Sequence, residues 1–341
     1  MNRPIVFSWA SRLLISAVLV LAVMGCSGHP GPDKESASNQ SSAEARKVDA
    51  QRVVNADAAP EEWLTHGRTY REERFSPLDQ IREDNVSDLG LAWFAELPTR
   101  RGIETTPLMA DGRLYVTASW GHVLAYDART GDLLWHFDPK VPKAYARHAC
   151  CDVVNRGVAL WGDRVYAASL DGRLRALDRD DGHVVWEVDT RLNDEDSYTI
   201  TGAPRVVDGK VIIGNGGAEM AVRGYVTAYD AETGDEVWRF FTVPGDPSKG
   251  FEDKTQEWIA STWTGEWWKN GKGGGTAWDS FAFDPELNLL YIGVGNAASW
   301  NRKVRSPEGG DNLFVSSIVA GNPVTQGPFA PNQPIAISAF A

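Results

Sequence analysis

Three stretches of this chain can be laid on one another at an almost constant spacing. They are Ala125-Tyr126-Asp127-Ala128-Arg129-Thr130-Gly131 leading to Trp135, Ala176-Leu177-Asp178 through Gly182 to Trp186, and Ala228-Tyr229-Asp230-Ala231-Glu232-Thr233-Gly234 to Trp238. Trp135 precedes Trp186 by 51 positions and Trp186 precedes Trp238 by 52. A period of that length, built of short strands and turns, is the mark of β-propeller blades. Each unit also holds an alternating run behind an Asp-Gly or Gly-Asp turn: Arg113 to Thr117, Arg164 to Ala168 and Lys210 to Gly214. The Asp-x-x-x-Gly stretch then reads as the hairpin between the two outer strands, with the Trp packing between blades. At this period, the roughly 280 residues after residue 60 would supply five to six blades, an all-β propeller left incomplete.

The two ends read differently from the repeat. Arg3 and Arg12 flank the start of an apolar run from Leu13 to Val23, too short to span a bilayer and typical of an export signal. It closes on Val23-Met24-Gly25-Cys26, which resembles the lipobox of bacterial lipoproteins, where the cysteine becomes the lipidated N-terminus; a plain signal peptide with an incidental cysteine is the alternative. The expectation is a periplasmic protein tied to a membrane, the outer one of a bacterium, with residues 1–26 as signal and 27–60 as a disordered tether rich in Ser, Ala, Asp, Lys and Gln. At the other end, residues 312–341 contain no Asp, Glu, Lys or Arg, although 23% of the chain is charged. Ala320-Gly321-Asn322-Pro323-Val324-Thr325-Gln326-Gly327 reads as a damaged copy of the hairpin. Both features point to truncation or a frameshift near Ala320, with 321–341 an aberrant tail.

A net charge of -12, with 46 acidic and 34 basic residues and no basic run, argues against a nucleic-acid partner, which needs a concentrated positive face. Beyond Cys26 the only cysteines are Cys150 and Cys151. Export would place them where a disulfide persists. A bridge between neighbours would be strained, since adjacent Cα atoms lie about 3.8 Å apart, and strain of that kind collects at functional sites. Two buried free thiols are the alternative. No Cys-x-x-Cys-His occurs, so the chain has no haem attachment of its own.

Several further strings recur in a fixed order: Trp63-Leu64-Thr65-His66-Gly67-Arg68-Thr69-Tyr70, Gly102-Ile103-Glu104-Thr105-Thr106-Pro107, Ala149-Cys150-Cys151-Asp152-Val153-Val154-Asn155-Arg156-Gly157, Thr199-Ile200-Thr201-Gly202-Ala203-Pro204, Gly214-Asn215-Gly216-Gly217-Ala218-Glu219, Gly273-Gly274-Gly275-Thr276-Ala277-Trp278-Asp279 and Gly293-Val294-Gly295-Asn296. Read together they resemble the quinoprotein alcohol dehydrogenases, whose propeller has eight blades and holds pyrroloquinoline quinone over a calcium ion. The resemblance runs from about residue 61 to 320, with the adjacent cysteines its most specific member.

That resemblance implies a site. The cofactor is a flat, electron-poor tricarboxylate and needs flat walls with donors around the rim. The Cys150-Cys151 ring would cover one face and Trp278 the other. Arg156 would present its fork to a carboxylate or quinone oxygen, with Glu104, Thr201 and Thr276 along the rim. Gly216, Gly217 and Ala218 would let backbone amides approach the ligand, and Glu219 and Asn296 would ligate calcium through hard oxygens. The ion would act as a Lewis acid on a quinone carbonyl. Each residue also has a plainer reading: Trp278 as blade packing, Arg156 as the partner of Asp152, Glu104 as a turn carboxylate, the threonines as strand residues.

In the family an Asp about 40 to 45 residues beyond the calcium-binding Asn takes the alcohol proton. That window falls on Ser338 to Ala341, which hold no carboxylate, so no catalytic base is identifiable. The implied reaction is oxidation of a small alcohol to an aldehyde with electrons leaving to a cytochrome c, impaired or absent in this chain. A non-catalytic propeller lipoprotein that scaffolds other proteins at the outer membrane fits the repeat and lipobox equally. It leaves the Cys-Cys, Gly-Gly-Ala-Glu and Gly-Gly-Thr-Ala-Trp strings unexplained.

Overall fold

The computed structural model describes residues 47–323 and 337–339. Four antiparallel sheets of four strands each follow the chain. The first holds β1 Leu108–Ala110, β2 Arg113–Ala118, β3 His122–Asp127 and β4 Leu133–Phe137; the second β5 Ala159–Trp161, β6 Arg164–Ala168, β7 Arg173–Asp178 and β8 Val184–Asp189; the third β9 Arg205–Val207, β10 Lys210–Gly214, β11 Tyr225–Asp230 and β12 Glu236–Phe241. The fourth is β14 Phe281–Asp284, β15 Leu289–Val294, β17 Ser317–Gly321 and β18 Ile337–Ala339, with a two-residue ladder, β13 Gly273–Gly274 on β16 Ala297–Ala298, beside it. These are propeller blades.

Period-two alternation feeds two cores at once. Along β6, Val165 and Ala167 face the first blade while Tyr166 and Ala168 face the third. The third and fourth blades share a core of Ile212, Val226, Phe281, Ile292 and Val319. No single centre exists; the apolar layers lie between blades.

The repeat motif is the joint between those layers. The Asp127 carboxylate accepts from the amides of Arg129 and Thr130, both at 2.9 Å, and Asp230 does the same for Glu232 and Thr233. This folds the hairpin so that its Gly adopts a left-handed φ of 76 to 79° at Gly131, Gly182 and Gly234. The Trp of the preceding blade lies on that Gly: a Cβ on Gly182 would meet the Trp135 ring at 2.6 Å. The indole Nε1 groups of Trp135, Trp186 and Trp238 donate to the carbonyls of Arg179, Ala231 and Pro323 at 3.0 to 3.1 Å. Each acceptor follows the Asp, or in the last case Asn322, of the next hairpin. In the copy at Ala320, Pro323 O thus still receives the Trp238 indole although the Asp is replaced by Asn322.

Two expectations are corrected. The described residues form four blades, not five to six. Residues 64–107 contribute no strand, and the stretch between β12 and β14 is spent on a cap. There the helix α2, Lys254–Ala260, is followed by Trp263 and Trp267, whose Nε1 groups donate to Leu313 O (2.8 Å) and Pro244 O (3.0 Å). Structure is also present from residue 47, ahead of the expected start at 61. Helix α1, Ala50–Val54, is capped by Asp49, and Val48 pairs its backbone with Gly162 while Val48 and Val53 enter the core of the first two blades. Arg52 anchors the segment on Glu62 (2.5 Å) and Asp111 (2.8 Å). A few aliphatic residues suffice because they plug an existing seam. The signal, Cys26 and the tether up to residue 46 lie outside the described residues, as does most of the tail; Ser338 and Ala339, within the window for the catalytic base, belong to β18.

His66, with Nε2 3.3 Å from Thr106 Oγ1, is pushed from 6.5 down to about 3 by burial and then by the charges of Arg205 and Arg74. The unfolded chain therefore binds a proton that the folded chain refuses as pH falls through this window. Its stabilising contribution is complete above 6.5 and is lost toward 3. Replacing it, His66→Gln, should flatten the fall of the urea midpoint across that range; an unchanged slope would contradict the assignment.

Candidate functional site

The strings singled out in the sequence share one structural position: residues 102–107, 149–158, 199–204 and 273–280 are the segments that lead into the opening strands β1, β5, β9 and β14. These segments abut in series. Thr106 N donates to Arg156 O (3.0 Å), Arg156 N donates to Thr201 O (3.1 Å), and a Cβ on Gly202 would stand 2.3 Å from Trp278 O. Residues as far apart in sequence as Glu104 and Trp278 therefore line one surface.

Arg156 is the hub of that surface. Its guanidinium reaches Glu104 Oε2 at 2.7 Å and Thr201 Oγ1 at 2.8 Å, and lies 5.0 Å from the centroid of the Trp278 ring. Asp152, the alternative partner, instead pairs with Arg101. Trp278 is 44% exposed, unlike the buried inter-blade indoles of Trp135 and Trp238, so packing does not account for it. Four of the expected residues, Glu104, Arg156, Thr201 and Trp278, are thus one constellation: a flat apolar face beside a fork-shaped cation with oxygen groups around it.

Cys150 and Cys151 are thiols in the structure, both exposed, with their sulfurs 2.7 Å apart. Burial of its sulfur, then hydrogen bonding with Cys151 and the charge of Glu219, push the Cys150 thiol up to about 12. That influence places Glu219 beside the cysteines. The cysteine loop is held from below by contacts the sequence did not announce: Tyr145 OH donates to Tyr198 O (3.0 Å) and His148 Nδ1 lies 2.7 Å from Ser197 Oγ. Their only signal was His148 standing two residues ahead of Cys150.

Glu219 projects from a single 3-10 turn, Ala218–Met220, that packs against β16, the strand just after Asn296. Asn296 is fixed by a backbone exchange: Gly275 N donates to Asn296 O and Gly295 N donates to Thr276 O, both at 2.9 Å. Its side-chain nitrogen donates to Ala297 O (3.3 Å), which leaves Oδ1 as the end suited to a cation. Thr276 itself is buried. The role expected of Gly216 is corrected: its amide donates to Thr199 O at 2.7 Å and is not offered outward. Gly217 is required because its φ is 104° and a Cβ would meet Ser197 O at 2.4 Å. Both glycines serve close packing of chain on chain, and the turn they allow carries Glu219.

Two other features lie outside this surface. The cluster Asp178, Asp181 and His183 is an exposed variant of the repeat hairpin. A cavity of about 850 Å³ lies between Tyr70, Arg71 and Phe75 on one side and Phe283 and Tyr291 on the other, away from the opening segments.

Comparison with known proteins agrees with this geometry. Residues 63–326 match the PQQ family model described as the glucose/ethanol/alcohol dehydrogenase β-propeller domain. The chain is 58% identical over 275 residues to quinohemoprotein alcohol dehydrogenase ADH-IIG of Pseudomonas putida, covering 81% of this chain and 38% of that protein. It is 50% identical over 319 residues to the quinohemoprotein alcohol dehydrogenase of Comamonas testosteroni, covering 93% and 44%. The solved structure of the Pseudomonas putida ADHIIG protein superposes with a TM-score of 0.81 over 84% of this chain and 42% of that one. The chain spans about two fifths of the length of these relatives. With the propeller, the ordered strings and these matches in hand, the chain belongs to the pyrroloquinoline-quinone-dependent alcohol dehydrogenase family.

Proposed function

We propose that this chain carries the cofactor-holding part of an alcohol oxidation that uses pyrroloquinoline quinone and calcium and passes electrons to a cytochrome c, in an exported protein anchored through Cys26. The observation that supports this most is the convergence of Arg156, Glu104 and Thr201 at the face of a half-exposed Trp278. A planar tricarboxylate fits such a place: it stacks on the indole, and the fork of Arg156 answers its carboxylates. Glu219 and Asn296 supply two hard oxygens, a partial set for a cation that takes six to eight, so the ligand itself and water complete it. When bound, the quinone supplies the two-electron acceptor for an alcohol. The residues of this chain bind it, orient it and exclude water from one face.

Cys150 and Cys151 would form their bridge on export, giving a compact lid. Thiol titration of protein isolated from an oxidising compartment should then find neither group free until a reductant is added, and reduction should weaken quinone binding. Two reactive thiols at the outset would remove the lid from this account. The reading as a whole is tested by equilibrium dialysis of the purified chain against pyrroloquinoline quinone. One equivalent should bind with calcium present and far less after chelation; no binding would favour the non-catalytic scaffold.

A further inference from the structure

The outer half of the first blade gathers two imidazoles and a carboxylate. The ladder of β3 on β4 pairs Val123 with Phe137 and Leu124 with His136, which sets position 122 across from 138. Alternation then turns His122, His136 and Asp138 to one face of the hairpin. It is the face of Leu124 and Tyr126, which pack with Leu97, and not that of Val123 and Ala125, which enter the core shared with the second blade. His122 Nδ1 stands 3.1 Å from His136 Nε2 and 3.7 Å from Asp138 Oδ1. The ring centroids are 5.1 Å apart, so nitrogen points at nitrogen and the faces do not stack.

The sister blades show what these positions ordinarily hold. In the second blade they are Arg173, Glu187 and Asp189, where the guanidinium lies 2.8 Å from one carboxylate and 3.8 Å from the other. In the third they are Tyr225, Arg239 and Phe241, with the guanidinium 4.7 Å from the Tyr225 ring centroid. Each set brings a cation to a group that answers it. The first blade alone of these three sets imidazole against imidazole. Burial holds the His122 imidazole below its ordinary range; Asp138 opposes this, and His136, Lys143 and Lys140 add to it. His122 is therefore neutral at pH 7, the state in which a ring nitrogen ligates a metal.

We propose that His122, His136 and Asp138 bind a divalent transition ion of the zinc class, supplying the cation that the sister blades carry as arginine. Two nitrogens on one tetrahedral zinc stand about 3.3 Å apart, close to the separation already present. Each ring stays neutral by holding its proton on the far nitrogen. Asp138 Oδ1 accepts the Lys140 amide at 2.9 Å and Oδ2 pairs with Lys140 Nζ at 2.6 Å. The carboxylate turns from that ammonium to the ion, and water takes the fourth position beside the exposed His136. Lys140 and Lys143 oppose the ion by charge, so Lys140, which also competes for Asp138, limits its affinity. The bound ion ties the start of β3 to the end of β4 and to the linker that leads to Cys150. None of the three ligands belongs to the quinone constellation, so the two readings stand or fall separately.

Calorimetry of the full chain, without a histidine tag and with calcium in excess, tests this with zinc chloride. One equivalent should bind. His136→Gln should weaken binding by about 100-fold or more, since outer-shell partners of a metal already count for about 10- to 100-fold; the side chain is exposed, so the blades should keep their circular dichroism. Lys140→Ala should tighten binding by freeing Asp138, a gain that a plain imidazole hydrogen bond would not produce. His183→Gln, at the exposed group Asp178, Asp181 and His183, should change nothing. No saturable binding, an affinity unmoved by His136→Gln or by Lys140→Ala, or a site lost with His183 overturns the proposal.

Discussion

Arg156→Ala is expected to weaken pyrroloquinoline quinone binding by about 100-fold or more, while the blades keep their circular dichroism. The guanidinium is the one group that touches Glu104, Thr201 and the Trp278 face together. Its loss removes the cation that answers the ligand's carboxylates and leaves Glu104 facing the same anion uncompensated. Truncating one partner of a hydrogen-bonded charge pair costs about 2 to 5 kcal/mol, and 100-fold corresponds to about 2.7 kcal/mol. Arg156→Lys keeps the charge but loses the fork, so calorimetry should place it between the two. Equal affinity for wild type and Arg156→Ala would show that the constellation is a structural ion pair.

The largest effect on stability is expected at the joint between the first and second blades. Trp135 is buried, spends its Nε1 on Arg179 O and covers the hairpin glycine Gly182. Trp135→Ala should cost about 3 to 5 kcal/mol in urea unfolding, the range for removing a large core aromatic. Gly182→Ala attacks the same contact from the other side, placing a methyl 2.6 Å from the ring at a φ of 76°. Because the two substitutions share one interface, the double variant should be less destabilised than the two single effects added together. Full additivity would mean that the indole and the glycine do not act as one joint.

What could be read from the sequence follows from how local the cause is. The hairpins were legible because Asp, Gly and Trp meet requirements within one blade and its neighbour. The residues around Trp278 were legible only through resemblance, since Glu104, Arg156, Thr201 and Trp278 come together by the side-by-side packing of four opening segments, and no spacing rule encodes that. The blade count was overestimated because a uniform period was assumed for a chain that spends residues 242–280 on a tryptophan-rich cap. The structure ahead of residue 61 went unread because three small aliphatic residues, Val48, Val53 and Ala56, carry no periodic signal yet are buried.

The central claim is that the exposed indole at position 278 is one wall of the quinone site. The direct measurement is intrinsic fluorescence during titration with pyrroloquinoline quinone and calcium, in wild type and in Trp278→Phe. Saturable quenching at one equivalent, with a large part of it missing in the variant, is the predicted result; the same quenching in both proteins, or none in either, would contradict it.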